Sequence, residues 1–386
     1  MKILFDHQIF EAQKFGGISR YFCEVMRRLD ETEDVEVDVA VKYAQNAYIR
    51  DTRFGASVQA DPGSYESFMR GREFRGKWNL YAARNKVFKP IDAVAANKQA
   101  AIQALQRQDF DIFHPTYYDD YFLPYLGAKK FVLTVYDMIH ELYPEYFNLA
   151  DRTSEKKRKL AERAHRIIAI SECTKKDLID FCGVPPEKIE VIHLATSLDA
   201  QPAPARAPKL PERYVLFVGA RTVYKNFFFF VNGMRQLLAA DPTLHIVCTG
   251  SAFTKNELVF LDIHGLAQRV HHHSASDAEL KMLYQQAQVF IFPSLYEGFG
   301  LPVLEAFGNG CPTVLGNVGS LPEIGGDGAL YFEPKDAKSL HASMSAALYN
   351  APLRAELVER GKARLALFSW DRTSRETGAL YRALLG

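Results

Sequence analysis

The chain has 386 residues, room for two or three domains at about 150 residues each, and its 48% hydrophobic and 24% charged residues are those of a soluble globular protein. A formal charge of +1 gives no overall field to recruit nucleic acid, and no apolar run approaches the ~20 residues of a membrane span. The five cysteines, odd in number, scattered and mostly inside apolar segments, fit buried thiols of a reducing compartment.

In chain order, "MKILFDHQIF" reads as a strand entering at once, without the n-region and h-region of a signal peptide, so a cytoplasmic location is expected. "GGISRYFCEVMRRLD" opens on Gly16 and Gly17 and continues as a helix, with Ile18, Tyr21, Phe22, Val25, Met26 and Leu29 at three-to-four spacing. "VEVDVAV" (35–41) alternates with period two. The stretch 70–89 then carries seven Lys/Arg against one acid, with Trp78 and Tyr81 among them. "DIFHPTYY", "KFVLTVYDM", "HRIIAIS" and "IEVIHLA" read as further strands, and 152–166 carries seven Lys/Arg against two acids. A solvated helix face is the ordinary reading of such basic runs; peripheral docking on the inner face of a membrane, or on an anionic lipid-linked acceptor, is the other.

A proline-rich segment without periodicity, 199–213, separates this first α/β half (1–198) from a second (214–370). There "YVLFVGA", "LHIVCTG", "RVHHHS" and "VFIFPS" are expected as strands, with helices over "NFFFFVNGMRQLLAA", "TKNELVFLDIHGL" and "SDAELKMLYQQA". A last amphipathic helix, 371–386, could pack on either half. Strands alternating with helices predict two doubly wound parallel-sheet domains, with a shared ligand in the cleft at the carboxyl ends of the strands.

The stretch "FPSLYEGFGLPVLEAFGNGCP" (292–312) lies where a buried strand hands over to a helix. Its glycines let backbone approach a ligand, and Pro302 suits a first helical turn. The N–H groups of Gly300, Leu301 and Val303 would then point from a helix N-terminus, which binds phosphate well. Glu297 before the turn and Glu305 one turn inside it can each accept from a diol. Arg221 and Lys225, in the loop after "YVLFVGA", would neutralise a diphosphate held there and stabilise it as it leaves.

These passages resemble the retaining nucleotide-sugar glycosyltransferases of the two-domain GT-B fold, specifically glycosyltransferase family 4 (group 1) of the bacterial surface-polysaccharide type. The resemblance covers nearly the whole chain, through Gly16-Gly17, "SECTKKDL…GVPPEKIEVIHLA" (171–195), "FVGARTVYKN" (217–226) and 293–334. It implies that Glu297 contacts the donor sugar, Glu305 the ribose, and Arg221 and Lys225 the diphosphate. The amides from Gly298 through Phe299 and Gly300 to Leu301 are implied on sugar and phosphate, with Gly16 and Gly17 approaching from the other domain. Asp137, in "LTVYDMIHE", matches the second member of a His-Asp pair, whereas Tyr136 stands where the histidine would be. Either His114 or His140 is a candidate for the contact that histidine would make.

Bland readings compete elsewhere. Asp109 and Asp111 resemble a metal-binding Asp-x-Asp, but they precede their strand, away from the ligand end. In His271–His273 only His271 and His273 share a strand face, short of a zinc set. Neither a metal nor a cofactor is therefore expected.

The resulting expectation is transfer of a hexose, mannose from GDP-mannose as the first guess, to a glycan or lipid-linked glycan hydroxyl, with no nucleic-acid partner. A GT-B sugar-nucleotide epimerase, or a degenerate transferase acting as a scaffold in polysaccharide assembly, are the alternatives. Product analysis without acceptor separates the first, and loss of cleft charges would mark the second.

Overall fold

The alternating rhythm becomes, in a computed structural model, two all-parallel six-stranded sheets flanked by helices. The structure describes residues 1–386 apart from 66–67, 70–71, 73, 88–90, 149, 199 and 203–208. Arg70, parts of the basic stretch 70–89 and the middle of the proline-rich segment thus lie outside the described residues.

The first sheet holds β1 (Lys2–Asp6), β2 (Glu36–Ala40), β3 (Ile112–His114), β4 (Lys130–Val135), β5 (Arg166–Ala169) and β6 (Ile189–Val191), in the order β2-β1-β3-β4-β5-β6. The second holds β7 (Arg213–Phe217), β8 (Leu244–Cys248), β9 (Val270–His272), β10 (Val289–Phe292), β11 (Thr313–Gly316) and β12 (Ala329–Phe332), in the order β12-β11-β10-β7-β8-β9. Helices cover both faces, so central strands such as β10, "VFIF", are apolar and buried at every position rather than alternating. Register is set by these runs: Ile3 pairs with Val37 and Ile112, and Ile291 with Phe217 and Val314.

Strand order reverses between β1 and β3 in the first sheet and between β7 and β10 in the second. Such switch points open a crevice at the carboxyl ends of the strands, where α/β proteins bind ligands. The loops after β7 and β10 carry the two motifs singled out in the sequence.

Some segments differ from expectation. The strand expected over "KILFDHQIF" stops at Asp6, whose buried carboxylate accepts from the Thr116 amide at 2.9 Å and the Tyr121 hydroxyl at 3.0 Å. A short helix, Gln8–Ala12, follows. The helix expected over "NFFFFVNGMRQLLAA" is two helices, Phe227–Gly233 and Arg235–Ala240, meeting at Met234.

The terminal helix Trp370–Leu385 lies against the first sheet's half. Thr373 Oγ1 donates to the His193 carbonyl at 2.7 Å, Lys130 Nζ to the Leu384 carbonyl at 2.6 Å, and Arg382 pairs with Asp34 at 2.7 Å. Its buried residues, Trp370, Thr373, Ser374, Thr377, Leu380 and Tyr381, follow helical spacing, so one stripe docks and the other faces solvent.

The basic run 152–166 is not a uniformly solvated face. On the helix Thr153–Arg163, Lys157 is fully buried, with Nζ 2.8 Å from the Asp137 carbonyl and 2.9 Å from Glu141 Oε2. Lys156 pairs with Asp119 at 3.5 Å, and Lys159 with Asp120. Buried positive charge needs such partners, so the local acids spend much of this run's charge internally. The helix Lys77–Val87 behaves differently: Trp78 is 61% and Leu80 53% exposed, while Lys77 is buried beside the Tyr65 ring. No described helix is long and apolar enough to cross a membrane.

Candidate active site

β10 ends at Phe292, and the chain crosses the mouth of the crevice as Pro293–Gly300 before the helix Leu301–Gly308 begins. Gly300 adopts φ +101°, a left-handed conformation that glycine tolerates best, and Pro302 stands in the first turn. The Val303 amide is committed to the Gly300 carbonyl at 2.9 Å, which removes it from the trio expected to face a ligand. Gly300 and Leu301 still begin a helix whose first amides have no intrahelical acceptor.

The other half closes onto this loop. A Cβ on Gly298 would lie 1.9 Å from the Tyr136 carbonyl, and Asp137 Cβ is next to it, so only glycine permits the approach. The Gly298 carbonyl accepts from Ser171 Oγ at 2.7 Å. Tyr296 donates to Asp177 at 2.7 Å and accepts from the Met138 amide at 3.2 Å. Glu323 accepts from the amides of Glu172 and Cys173, which open the helix Glu172–Cys182, and meets His193 at 2.7 Å. Burial works to raise the Glu323 carboxyl, but His193 and those amides prevail and hold it below the usual carboxylate range. Phe299 is buried against His193 and Phe368. Gly17 comes from the opposite side: a Cβ there would be 2.6 Å from Leu301 Cδ1. Gly16, immediately before it, is extended at φ 172°, with Gln13 filling the space beside it. Gly17 and the motif therefore meet across the crevice, with Gly16 next to Gly17 in sequence.

Lys225 reaches Glu297 at 2.6 Å, both side chains about 85% buried (15% and 13% exposed), with Nζ 4.8 Å from the Phe292 ring centre. Glu305 is half-buried and accepts from the Tyr284 hydroxyl at 3.1 Å. Burial pushes its carboxyl up, opposed by the charge of Arg20 and by that hydrogen bond.

Arg221 does not join them. Its side chain is 4% exposed: Nε pairs with Glu257 at 2.7 Å, Nη1 donates to Thr249 O at 3.0 Å, and Nη2 to Ser251 O and Ala252 O. The guanidinium lies 4.7 Å from the Phe253 ring centre. Four of its five N–H groups are spent on Glu257 and the loop after β8, so Arg221 braces that loop. Burial works to raise Glu257, but Arg221 and the Thr254 amide hold its carboxyl below the usual range.

The histidines divide. His114 is fully buried, with Nδ1 2.5 Å from the Tyr381 hydroxyl and Nε2 2.9 Å from Thr134 Oγ1. Burial depresses it to a pKa of about 3. It is a neutral core residue beneath the terminal helix and makes no cleft contact. His140 stacks on Phe147 at 3.9 Å, meets Asp151 at 3.5 Å, and leaves a buried Nδ1 without a partner. Tyr136 points its hydroxyl inward to the Thr116 carbonyl. Asp137 is 37% exposed at the end of β4 and faces Gly298.

Asp109 and Asp111 sit at the amino end of β3, near Lys2 and far from the crevice. His271 pairs with His245, His272 with the Gly250 carbonyl, and His273 lies near Glu279. No group of three or more potential metal ligands gathers among the described residues.

Sequence reading missed Arg20, Tyr48 and Asp277. Arg20, three residues after Gly17, pairs across the crevice with Asp277 and donates to the Tyr48 hydroxyl at 2.8 Å. Its position one turn past the glycines was the available signal.

Two doubly wound domains facing across switch-point loops, with a helix terminus, a lysine and two carboxylates at the second, define a GT-B nucleotide-sugar enzyme. The chain matches the family model for group 1 glycosyl transferases over residues 203–364 and that for Glycosyltransferase Family 4 over 15–200. It belongs to these glycosyltransferases, and it is a hexosyltransferase. Across its whole length and that of the relative, it is 28% identical to the O-antigen chain mannosyltransferase B of Escherichia coli. It is 28% identical to the O-antigen chain mannosyltransferase RfbU of Salmonella typhimurium, over 64% of this chain and 67% of that one. Among solved structures, the fold matches sucrose-phosphate synthase from Thermosynechococcus elongatus, with TM-score 0.72, 18% identity and coverage of 99% and 98%. It also matches Anabaena HepE in complex with UDP and glucose, with TM-score 0.68, 15% identity and coverage of 98% of both chains.

Proposed function

We propose that the protein transfers mannose from GDP-mannose to a hydroxyl of a glycan or lipid-linked glycan during bacterial surface-polysaccharide synthesis, with retention of anomeric configuration and without a metal. The observation that carries the transferase chemistry is the Lys225–Glu297 contact beside the Leu301 helix terminus, at the switch point and against Gly17. The choice of mannose rests on the names of the full-length and partial relatives.

In this reading the helix terminus and Lys225 hold the donor diphosphate, Glu297 orients the sugar, and Glu305 takes the ribose diol. The bond from the anomeric carbon to phosphate oxygen breaks. The acceptor oxygen bonds that carbon on the same face, and its proton passes to the departing phosphate. The protein supplies geometry and charge stabilisation, with Lys225 neutralising the leaving group. A Glu297 nucleophile fits less well, because that carboxylate is tied to Lys225. Closure of Gly298 onto the β4 end excludes water from the activated sugar.

In this reading the acceptor approaches from the first domain, where Asp137 stands partly exposed at the end of β4. The exposed Trp78 and Leu80, with Arg72 and Arg75 before them, support contact with an anionic membrane surface carrying a lipid-linked acceptor. The experiment is a thermal-shift panel of nucleotide sugars followed by product analysis with and without acceptor glycan. Stabilisation by GDP-mannose and acceptor-dependent release of GDP, unaffected by EDTA, are expected. Stabilisation by another donor alone overturns the mannose assignment, epimerised donor without acceptor overturns transfer, and EDTA inhibition overturns metal independence.

A further inference from the structure

With Arg221 occupied in bracing the loop after β8, Lys225 is left facing the leaving diphosphate from the second domain, already paired with Glu297. Two negative phosphates in a half-dry crevice call for more positive charge than one shared ammonium. The first domain offers it. Arg20 lies on the first turn of the helix Gly17–Asp30, three residues beyond the glycine that touches Leu301, and its side chain is 12% exposed. It lines a cleft cavity of about 610 Å³ between the two halves, shared with Tyr48, Ser197 and the start of the helix Asp277–Gln286.

The guanidinium is held but not used up. Nη2 makes both side-chain contacts, to Asp277 and to the Tyr48 hydroxyl, and the group lies 4.6 Å from the Tyr48 ring centre. Nε and Nη1 have no acceptor among the described residues. Stacking on Tyr48 fixes the plane of the guanidinium and leaves the Nη1 hydrogens for a further acceptor. Burial works against the charge on Arg20, yet Tyr48, Asp277 and Glu305 outweigh it and raise its pKa, so it stays cationic. Glu305 feels the same charge. Asp277 opens the helix Asp277–Gln286, whose Tyr284 hydroxyl donates to Glu305, so Arg20 stands on the Glu305 side of the crevice, the nucleoside end in this reading, and Lys225 on the Glu297 side.

We propose that Arg20 is a donor-binding residue: it is the first domain's cation for the nucleoside diphosphate, donating from Nη1 to the phosphate nearer the ribose while Nη2 stays on Asp277 and Tyr48. The assignment deepens the transferase reading and rests on it. Because Arg20 and Asp277 belong to different domains, the bound phosphate joins a contact that already spans the crevice, which links donor binding to closure.

The test uses the full chain and compares GDP and UDP with guanosine and uridine, by displacement of a fluorescent nucleotide. Arg20→Gln is expected to weaken binding of the preferred diphosphate roughly ten- to a hundredfold, the size of a lost charge-assisted hydrogen bond, while nucleoside binding stays within about twofold. Arg20→Lys, a point charge without the fork, should recover part of the loss. Equal losses for diphosphate and nucleoside in Arg20→Gln would reduce Arg20 to a structural strut and overturn the assignment, as would unchanged diphosphate affinity in that variant. If the wild-type chain binds neither diphosphate, the transferase reading falls with it; wild-type binding with an indifferent Arg20→Gln sinks this inference alone.

Discussion

The two halves build their shares of the crevice in opposite ways. The second half delivers most of its share from one contiguous passage, where strand end, glycine turn, helix terminus and two carboxylates lie within residues 292–305, and adds Lys225 from the loop after β7. The first half collects its share from distant places: Gly17 and Arg20 after β1, Asp137 after β4, and Ser171 and Thr174 after β5. Local chain geometry fixes the former, whereas the latter depends on where the sheet brings separated loops. A site split in this way can open and close, because neither half completes it alone.

The widest gap in this comparison is between two cations of one loop, Arg221 and Lys225. Arg221→Ala leaves Glu257 buried without its partner and should cost about 3–5 kcal/mol of stability in urea denaturation. A loss below about 1 kcal/mol would mean that Arg221 is no brace. Lys225→Ala strands Glu297, but that pair is more open, 15% and 13% exposed against 4% and 5% for Arg221 and Glu257. Its stability cost should be smaller, about 1–2 kcal/mol, while kcat falls by roughly 10²–10³, the usual size for losing one preorganised charge-stabilising group. Comparable stability losses in the two variants would erase the distinction.

Gly298→Ala probes the meeting of the halves. Its methyl would collide with the Tyr136 backbone carbonyl, so the halves must separate. Turnover should fall about 100-fold, as misplacement by about 1 Å can cost, and small-angle scattering should show a larger particle. Unchanged scattering with full activity would show that the contact is dispensable.

A smaller effect distinguishes the core from the crevice. His114 is held neutral with a pKa of about 3, against an ordinary value of 6.5 in the unfolded chain. The unfolded state therefore binds the extra proton between these values. Stability is complete above pH 6.5 and falls by roughly 1.4 kcal/mol per unit as pH drops toward 3. His114→Gln should flatten that slope in denaturation measured between pH 7 and 5. Activity at pH 7, corrected for the folded fraction, should survive; a specific loss of kcat would return His114 to the crevice.

Much of this was legible in the residues. The α/β rhythm foretold both sheets, because a parallel strand covered on two faces must be apolar throughout. "EGFGLPVLE" announced a helix terminus because glycine and proline constrain the backbone within a few residues. The ion pair of Arg221 was not legible, because spacing of four on a loop says nothing about where a long side chain turns, and Glu257, its partner, is 36 residues away. His114 misled for a related reason: the end of β3 looks like a ligand position until Tyr381 arrives from the far end of the chain to cover it.

From sequence alone came the elements, the pairing of two similar halves and the backbone cradle at Leu301, since these depend on local dihedral preference and hydrophobic period. Tertiary structure alone decided which charges face the crevice. Placing Arg20 beside Asp277, sealing Arg221 under Phe253 and burying His114 are matters of desolvation and partner distance, and those exist only once the chain has brought remote residues together.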